Sequence, residues 1–531
     1  MSQLSRRGAL KKAAAFVAAG AVASIRSDSG PAGEQSASMS VTVQLKDTIS
    51  TVKPAIYSHF AEHIGGVIYD GIWVGPESKV PNIDGIRRTL IEYVRRLGRV
   101  VVRWPGGCFA DKYHWRDGIG PRDQRPRRFG RWKEVTEPNH FGTHEFMRFC
   151  RLCNVEPYFA ANVGTGSAEE FQSWVEYCNA PAGATTLAGE RVKNGDEKPF
   201  AIRYWGVGNE SWGCGGKFTP EDYCREYRKF TEWLPGYGVP LYLIAAGPDG
   251  NNTEWTRRFF KKWTDFARAP ISGWAPHYYC GTTGHALKFT DDQWYEQLDK
   301  ANRMEKLIVD QWTALGEFDR EHKIKLIIDE WGCWHPPGTE INREHLFEQM
   351  GCLRDALVAA LTLDTFNRHA DKVDMANVAQ LVNNLHSLFL ADGDRFVATP
   401  SFHVFEMYKP HHGAKAVKLD VQAPAVTFRA GGKEHKLFRV AGSGSVRDKA
   451  LTLTLVHTHV REPAEIRIHL RDGKVDSVRQ TVLTHEKLNA HNTFDEPNVV
   501  VPKTTEGKGS GEEIRCVLPP ASVVRLDMRL G

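Results

Sequence analysis

The 531-residue chain has no apolar run approaching the roughly 20 residues that a membrane-spanning helix needs. No G-x-G-x-x-G opens a helix after the first apolar segment, which weakens a dinucleotide-binding reading. Its ten cysteines give a single C-x-x-C, Cys150 and Cys153, and no second pair completes a zinc site. That pair lies in the amphipathic stretch "HEFMRFCRLCN", and the cysteines show no disulfide-framework spacing. Most are therefore expected to be small buried hydrophobes, with no metal bound. Acidic residues are absent before Ala23, whereas Arg6, Arg7, Lys11 and Lys12 all fall there. These four account for most of the formal charge of +5. The remainder is close to neutral, so bulk charge gives no argument for nucleic-acid or membrane partners.

The leader "SRRGALKKAAAFVAAGAVAS" has paired arginines, a short Ala/Val/Phe core and small residues ending at Ala23. It resembles a twin-arginine export signal, although Ala9 stands where a bulky apolar residue is usual. The expectation is a signal over residues 1–23, a small-residue linker over 24–40, and a periplasmic or secreted protein. A flexible basic N-terminus on a cytoplasmic protein is the alternative. Twin-arginine export carries folded proteins, so reduced buried thiols fit either destination.

Over residues 54–395, short apolar runs alternate with longer stretches of helical period. The runs are "AIYSHFAE", "RVVVRWPGG", "EPYFAANVG", "IRYWGVGNE", "LYLIAAGPDG", "GWAPHYY", "KLIIDEWG" and "MANVAQLVN". Between them lie segments such as "IDGIRRTLIEYVRRLG", with Ile86, Leu90, Val94 and Leu97 on one face. Eight near-continuous apolar strands separated by helices predict a (β/α)8 TIM barrel, an α/β architecture. Over 396–531 the texture changes to alternation, as in "ALTLTLVHTH", "AEIRIHLRD" and "ASVVRLDMRL". That predicts an all-β C-terminal domain, an antiparallel β-sandwich of jelly-roll type. "MSVTVQLKD" alternates likewise, and residues 41–53 are expected to add an N-terminal strand to it.

A TIM barrel gathers its chemistry at the C-terminal ends of its strands. In order those ends carry Glu62 and His63, Arg103, Asn162, Asn209 with Glu210, Asp249, His277 with Tyr279, Glu330, and Gln380. Trp104, Trp212, Trp331 and Trp334 lie nearby. Taken singly, a glutamate after a strand reads as the cap of the next helix, and a tryptophan as core. Two glutamates, in "GNES" and "IIDEWG", at the ends of the fourth and seventh strands suggest paired carboxylates for glycosidic cleavage. The basic stretch "RDGIGPRDQRPRRFGRWK" (Arg116 to Lys133) reads as a solvated loop that can also rim the pocket.

Together, "YWGVGNESWGCGG", "IIDEWGCW", "SHFAEHIGG", "VRWPGGCFADKYHWRDGIGPRDQRP", "PHYY" and "MANVAQLVN" resemble the glycoside hydrolase family 51 α-L-arabinofuranosidases. The similarity runs on through "VFEMYKPHHGAKAV" and "LPPASVVRLDM". It implies a retaining exo-enzyme acting on arabinose-containing polysaccharides or oligosaccharides, without cofactor, often hexameric. By motif, Glu210 is the general acid/base and Glu330 the nucleophile. Asn209 is expected to bind the sugar 2-hydroxyl, with Glu62, Arg103, His277, Tyr279 and Gln380 holding the sugar or orienting the carboxylates. Trp334 is expected to wall the pocket. Cys108 stands where many members have Asn, and its thiol is expected to contact hydroxyls more loosely. The alternatives are a retaining β-xylosidase or endoglucanase of the same clan, or a non-catalytic carbohydrate-binding protein.

Overall fold

The computed structural model describes residues 39–130, 132, 135–265, 269–281, 283–507 and 509–531. The expected export signal and most of the linker lie outside these residues. Among the described residues, no helix is long and apolar enough to cross a membrane.

Eight parallel strands close into a barrel: Ser58–Phe60, Val101–Trp104, Glu156–Ala161, Tyr204–Val207, Tyr242–Asp249, Gly273–Gly281, Lys325–Trp334 and Val373–Ala379. Closure is made where Val378 of the eighth strand pairs with His59 of the first. Helices separate the strands, several started by hydroxyl caps: Ser167, Thr219 and Thr290 each accept from the backbone N–H three residues on. The amphipathic stretch after the first strand forms its helix at Arg88–Leu97, with Leu90, Ile91, Val94 and Leu97 buried. Ile86 is buried as well, but in a two-residue strand ahead of the helix.

Strand alternation sorts each barrel residue into one of two cores. Val101, Tyr158, Ile244, Ala275, Ile327 and Met375 face inward and fill the barrel floor. Val102, Trp104, Phe159, Trp205, Trp274, Ile328 and Trp331 face outward into the large core shared with the helices. Gly206 stands where a Cβ would lie 2.7 Å from the Tyr158 hydroxyl of the barrel floor, so that position leaves no room for a side chain.

The second domain is one nine-stranded, mostly antiparallel sheet running in the order Lys503–Gly507, Val475–Leu483, Ser522–Leu530, Ala450–His457, Val440–Arg447, Lys415–Gln422, Met39–Thr51, Ala464–Arg471, Glu513–Leu518. Met39–Thr51 pairs antiparallel with Lys415–Gln422 and parallel with Ala464–Arg471. Leu453 and Leu526 share one core with Ile468 and Ile514, although their strands are far apart in the sheet order. The sheet therefore curls over to pack two layers face to face.

The helix Leu353–Arg368 is buried from Leu353 to Asn367 and packs between the seventh barrel strand and the sheet. Its Asp364 accepts hydrogen bonds from Ser443 (2.7 Å), Thr454 (2.6 Å) and Tyr408 (3.0 Å), which lock the two domains together.

Candidate active site

Arg103 organises the barrel mouth. It is inward-facing on the second strand, fully buried, and its guanidinium lies 4.7 Å over the Phe60 ring. One terminal nitrogen donates to Glu330 Oε1 at 2.7 Å and the other to Asn209 Oδ1 at 2.7 Å. Its Nε lies 3.4 Å from Asp329 Oδ2. Asp329 also accepts from the Tyr158 hydroxyl (2.7 Å) and Asn377 (2.8 Å), so this carboxylate is fixed beneath the site.

Asp329 and Glu330 are consecutive, yet both meet Arg103. Regular alternation would send one outward. The pairing of the seventh strand with the eighth slips between Ile328 and Trp331, and this bulge turns two successive side chains inward. Glu330 Oε2 accepts from the Tyr279 hydroxyl at 2.7 Å and lies 3.6 Å from His277 Nδ1. Burial alone would raise its pKa; the charges of His277 and Arg103 and the two hydrogen bonds outweigh it and hold Glu330 below the usual carboxylate range. Burial opposes protonation of His277, but Glu330 and the bond to Glu210 raise its pKa overall.

Glu210 opens the turn that follows the fourth strand. Its Oε1 lies 3.2 Å from His277 Nδ1. One oxygen each of Glu210 and Glu330 and one His277 nitrogen all lie within 4.8 Å of one another. Across the mouth, Glu62 Oε1 accepts from the Phe109 N–H at 2.8 Å, and the Gln380 amide donates to Oε2 at 3.4 Å. Burial, reinforced by the charge of Glu330, pushes Glu62 up to about 8. At neutral pH its carboxyl thus keeps a proton to donate.

Trp334, 37 % exposed, meets Tyr279 and Phe347 edge-on at 5.3 and 5.0 Å between ring centres. Trp132 in turn packs edge-on against Phe347. The basic stretch therefore does reach the rim. It is not simply solvated, because Arg125 is buried against Glu145, Gly120 O and Asn139 O.

Several strand-end residues sit elsewhere. Trp104 and Trp331 are core, since each follows an inward residue and so points out of the barrel. His63 is taken up by Glu137 (2.8 Å) and the Trp104 indole (3.0 Å). Asn162 closes its own turn onto Thr165, Asp249 is exposed, and Trp212 is half-buried against the core.

Cys108 corrects the sequence reading. It carries no thiol, because it is bridged to Cys214 106 residues later. The other eight cysteines are free and buried. Sequence reasoning also passed over Asp329 and Phe347. The bridge had a visible signal: "PGGC" and "NESWGC" each place a cysteine just past a site strand on the same barrel face.

Barrel and site together define a (β/α)8-barrel glycoside hydrolase. Known proteins resemble the chain along almost its whole length. Residues 93–303 match the family model described as the alpha-L-arabinofuranosidase 1 domain, and 329–522 that of the alpha-L-arabinofuranosidase C-terminal domain. An intracellular exo-alpha-L-arabinofuranosidase of Bacteroides ovatus is 37 % identical over 502 residues, covering 93 % of this chain and 96 % of that one. The crystal structure of the GH51 arabinofuranosidase from Xanthomonas axonopodis pv. citri superposes with a TM-score of 0.87 at 34 % identity, covering 92 % of this chain and all of that one. For a Thermotoga maritima alpha-L-arabinofuranosidase in its arabinose complex, the TM-score is 0.82 at 29 % identity, with 93 % and 100 % covered. The chain belongs to the glycoside hydrolase family 51 α-L-arabinofuranosidases.

Proposed function

We propose that the protein removes terminal non-reducing α-L-arabinofuranosyl groups from arabinoxylan, arabinan and arabino-oligosaccharides, with retention, by double displacement on two glutamates. Glu330, held ionised by Arg103 and Tyr279, attacks the anomeric carbon. Glu210 gives its proton to the departing glycosidic oxygen. Glu210 then takes a proton from water as that water displaces Glu330, releasing arabinose. The observation that carries this reading is the approach of the two carboxylates to within 4.8 Å at their nearest, both against His277. Retaining glycosidases set their carboxyls about 5–5.5 Å apart, whereas inverting ones need about 6.5–9.5 Å for an intervening water.

The remaining groups fit a sugar. Arg103 occupies Asn209 Oδ1, which turns the Asn209 amide N–H2 toward the mouth for the 2-hydroxyl. Glu62 and Gln380 form a donor-acceptor pair for further hydroxyls, and Trp334 covers the apolar sugar face. Exo action is supported by the name of the Bacteroides ovatus relative. Hexameric assembly rests on the family resemblance alone, and light scattering tests it.

Export is supported by the twin-arginine-like leader and by a disulfide, a bond that persists in oxidising compartments. The "intracellular" of the Bacteroides ovatus relative supports the cytoplasmic alternative. Changing Arg6→Lys together with Arg7→Lys separates the two: an exported protein becomes trapped, a cytoplasmic one keeps its distribution.

The reaction is tested by cleaving aryl α-L-arabinofuranoside, β-D-xyloside and β-D-glucoside in aqueous methanol, with the products read by NMR. Methyl α-L-arabinofuranoside is expected. The β anomer would exclude double displacement, and preferential xyloside or glucoside cleavage would exclude the substrate.

A further inference from the structure

The one disulfide among the described residues joins Cys108 to Cys214. The eight free cysteines are buried, and burial pushes thiols such as Cys224 and Cys280 up to about 12, where they are inert. Cys108 and Cys214 are only half-buried, and both stand at the barrel mouth. Their bridge ties the loop after the second strand to the loop after the fourth.

That second loop holds Glu210 in place. Glu210 has a φ of +36°, a left-handed backbone that an L-residue keeps only when its surroundings impose it. The N–H groups of Gly213 and Gly215 both donate to the Glu210 carbonyl, at 2.7 and 3.1 Å. A Cβ at Gly215 would fall 1.7 Å from the Asn209 carbonyl oxygen, so this glycine loop lies directly on the Asn209–Glu210 backbone. Cys214 sits inside it. Its Sγ is 3.3 Å from Glu210 Oε2 and accepts from the Asn209 amide at 3.6 Å, while Cys108 Sγ is 3.8 Å from the same Oε2. The carboxyl is thus set with Oε1 on His277 and Oε2 on the two bridged sulfurs.

We propose that the Cys108–Cys214 bridge is a positioning element for Glu210, and that opening it turns the same three residues into a trap for a thiophilic divalent cation. The proposal rests on Glu210 being the acid/base. With the bridge closed, the loop cannot drift and Oε2 keeps its place beside the leaving oxygen. A phosphine opens the bridge with one water, giving two thiols and a phosphine oxide. The loop then keeps its own hydrogen bonds, the Arg103–Asn209 bond and the packing of Trp212, but loses its tether to the loop after the second strand. Two Sγ atoms and a Glu210 oxygen, all within 4.8 Å of one another, form an S2O set. That set suits zinc, which displaces the two thiol protons into solvent and occupies the acid/base carboxyl.

The test uses the full-length enzyme, oxidised or reduced with tris(carboxyethyl)phosphine and desalted anaerobically. On reduction, kcat/KM should fall about tenfold for phenyl α-L-arabinofuranoside, a poor leaving group. It should change less than twofold for the 2,4-dinitrophenyl glycoside, which leaves without a proton. Oxidised glutathione should restore the loss. One equivalent of zinc should then inhibit only the reduced enzyme, reversibly with EDTA, and the Cys108→Ser/Cys214→Ser double variant should escape that inhibition. A leaving-group profile unchanged by reduction, or zinc inhibition equal in both redox states, would overturn the proposal. Glu210→Ala separates the two layers. If it slows the phenyl glycoside far more than the dinitrophenyl one while reduction does not, the bridge proposal alone fails. If it slows both equally, the acid/base reading fails.

Discussion

Glu330 at the barrel mouth and Asp364 at the domain interface are both buried carboxyls, and they settle in opposite directions. Glu330 is held low, because an arginine and a histidine supply positive charge against the penalty of burial. Asp364 has hydrogen bonds of similar number and length, but from the hydroxyls of Ser443, Thr454 and Tyr408. Its pKa is pushed up to about 6, with burial the dominant cause. Donated hydrogen bonds favour the ionised form of both carboxyls; at Glu330 the charges of His277 and Arg103 add enough to outweigh burial, whereas at Asp364 the hydroxyls and the charge of Arg368 do not. The mouth thus holds an ionised carboxylate, as the proposed nucleophile requires, and the interface a latch.

The largest way to break this comparison is to remove the Glu330 carboxylate. Glu330→Ala should lower kcat by about 10⁴-fold or more while the protein stays folded. Arg103→Lys comes next. Lysine keeps the charge but cannot serve Glu330 and Asn209 together, so kcat/KM should fall by about 10²-fold in steady-state assays. The smallest change is at the latch, and it appears in stability rather than turnover. Asp364 keeps its proton in the folded state up to about pH 6, whereas the unfolded chain releases it near 4. The folded state binds more protons between these values, so stability falls as pH rises through that window, by roughly 3 kcal/mol at most. Thermal unfolding of Asp364→Asn between pH 4 and pH 7 should lack this component. A slope equal to that of the native protein would remove Asp364 as its source.

The fold was largely legible because barrel strands covered on both faces read as unbroken apolar runs, and all eight were visible in that way. What resisted reading was the facing of neighbouring side chains. Trp104 and Trp331 adjoin site residues in sequence, but one step along a strand is a change of face, and both went to the core. Asp329 was passed over for the converse reason: a bulge that no local pattern announces brings it inward beside Glu330. The Cys108–Cys214 bridge spans two strand-end loops that meet only when the barrel closes. Its sign was therefore positional, a cysteine just past each of two site strands, rather than a spacing along the chain. Arg103 was found by its position, yet its role as the hub joining Glu330, Asn209 and Asp329 emerges only from the geometry.

The central claim is the division of labour between Glu330 and Glu210, and azide tests it through the configuration of the product. Glu330→Ala, given an activated aryl α-L-arabinofuranoside and sodium azide, should regain part of its activity and form β-L-arabinofuranosyl azide. Azide would then have replaced the missing nucleophile on the face that Glu330 attacks. Near-native turnover without azide, or formation of the α-azide by this variant, would contradict the assignment.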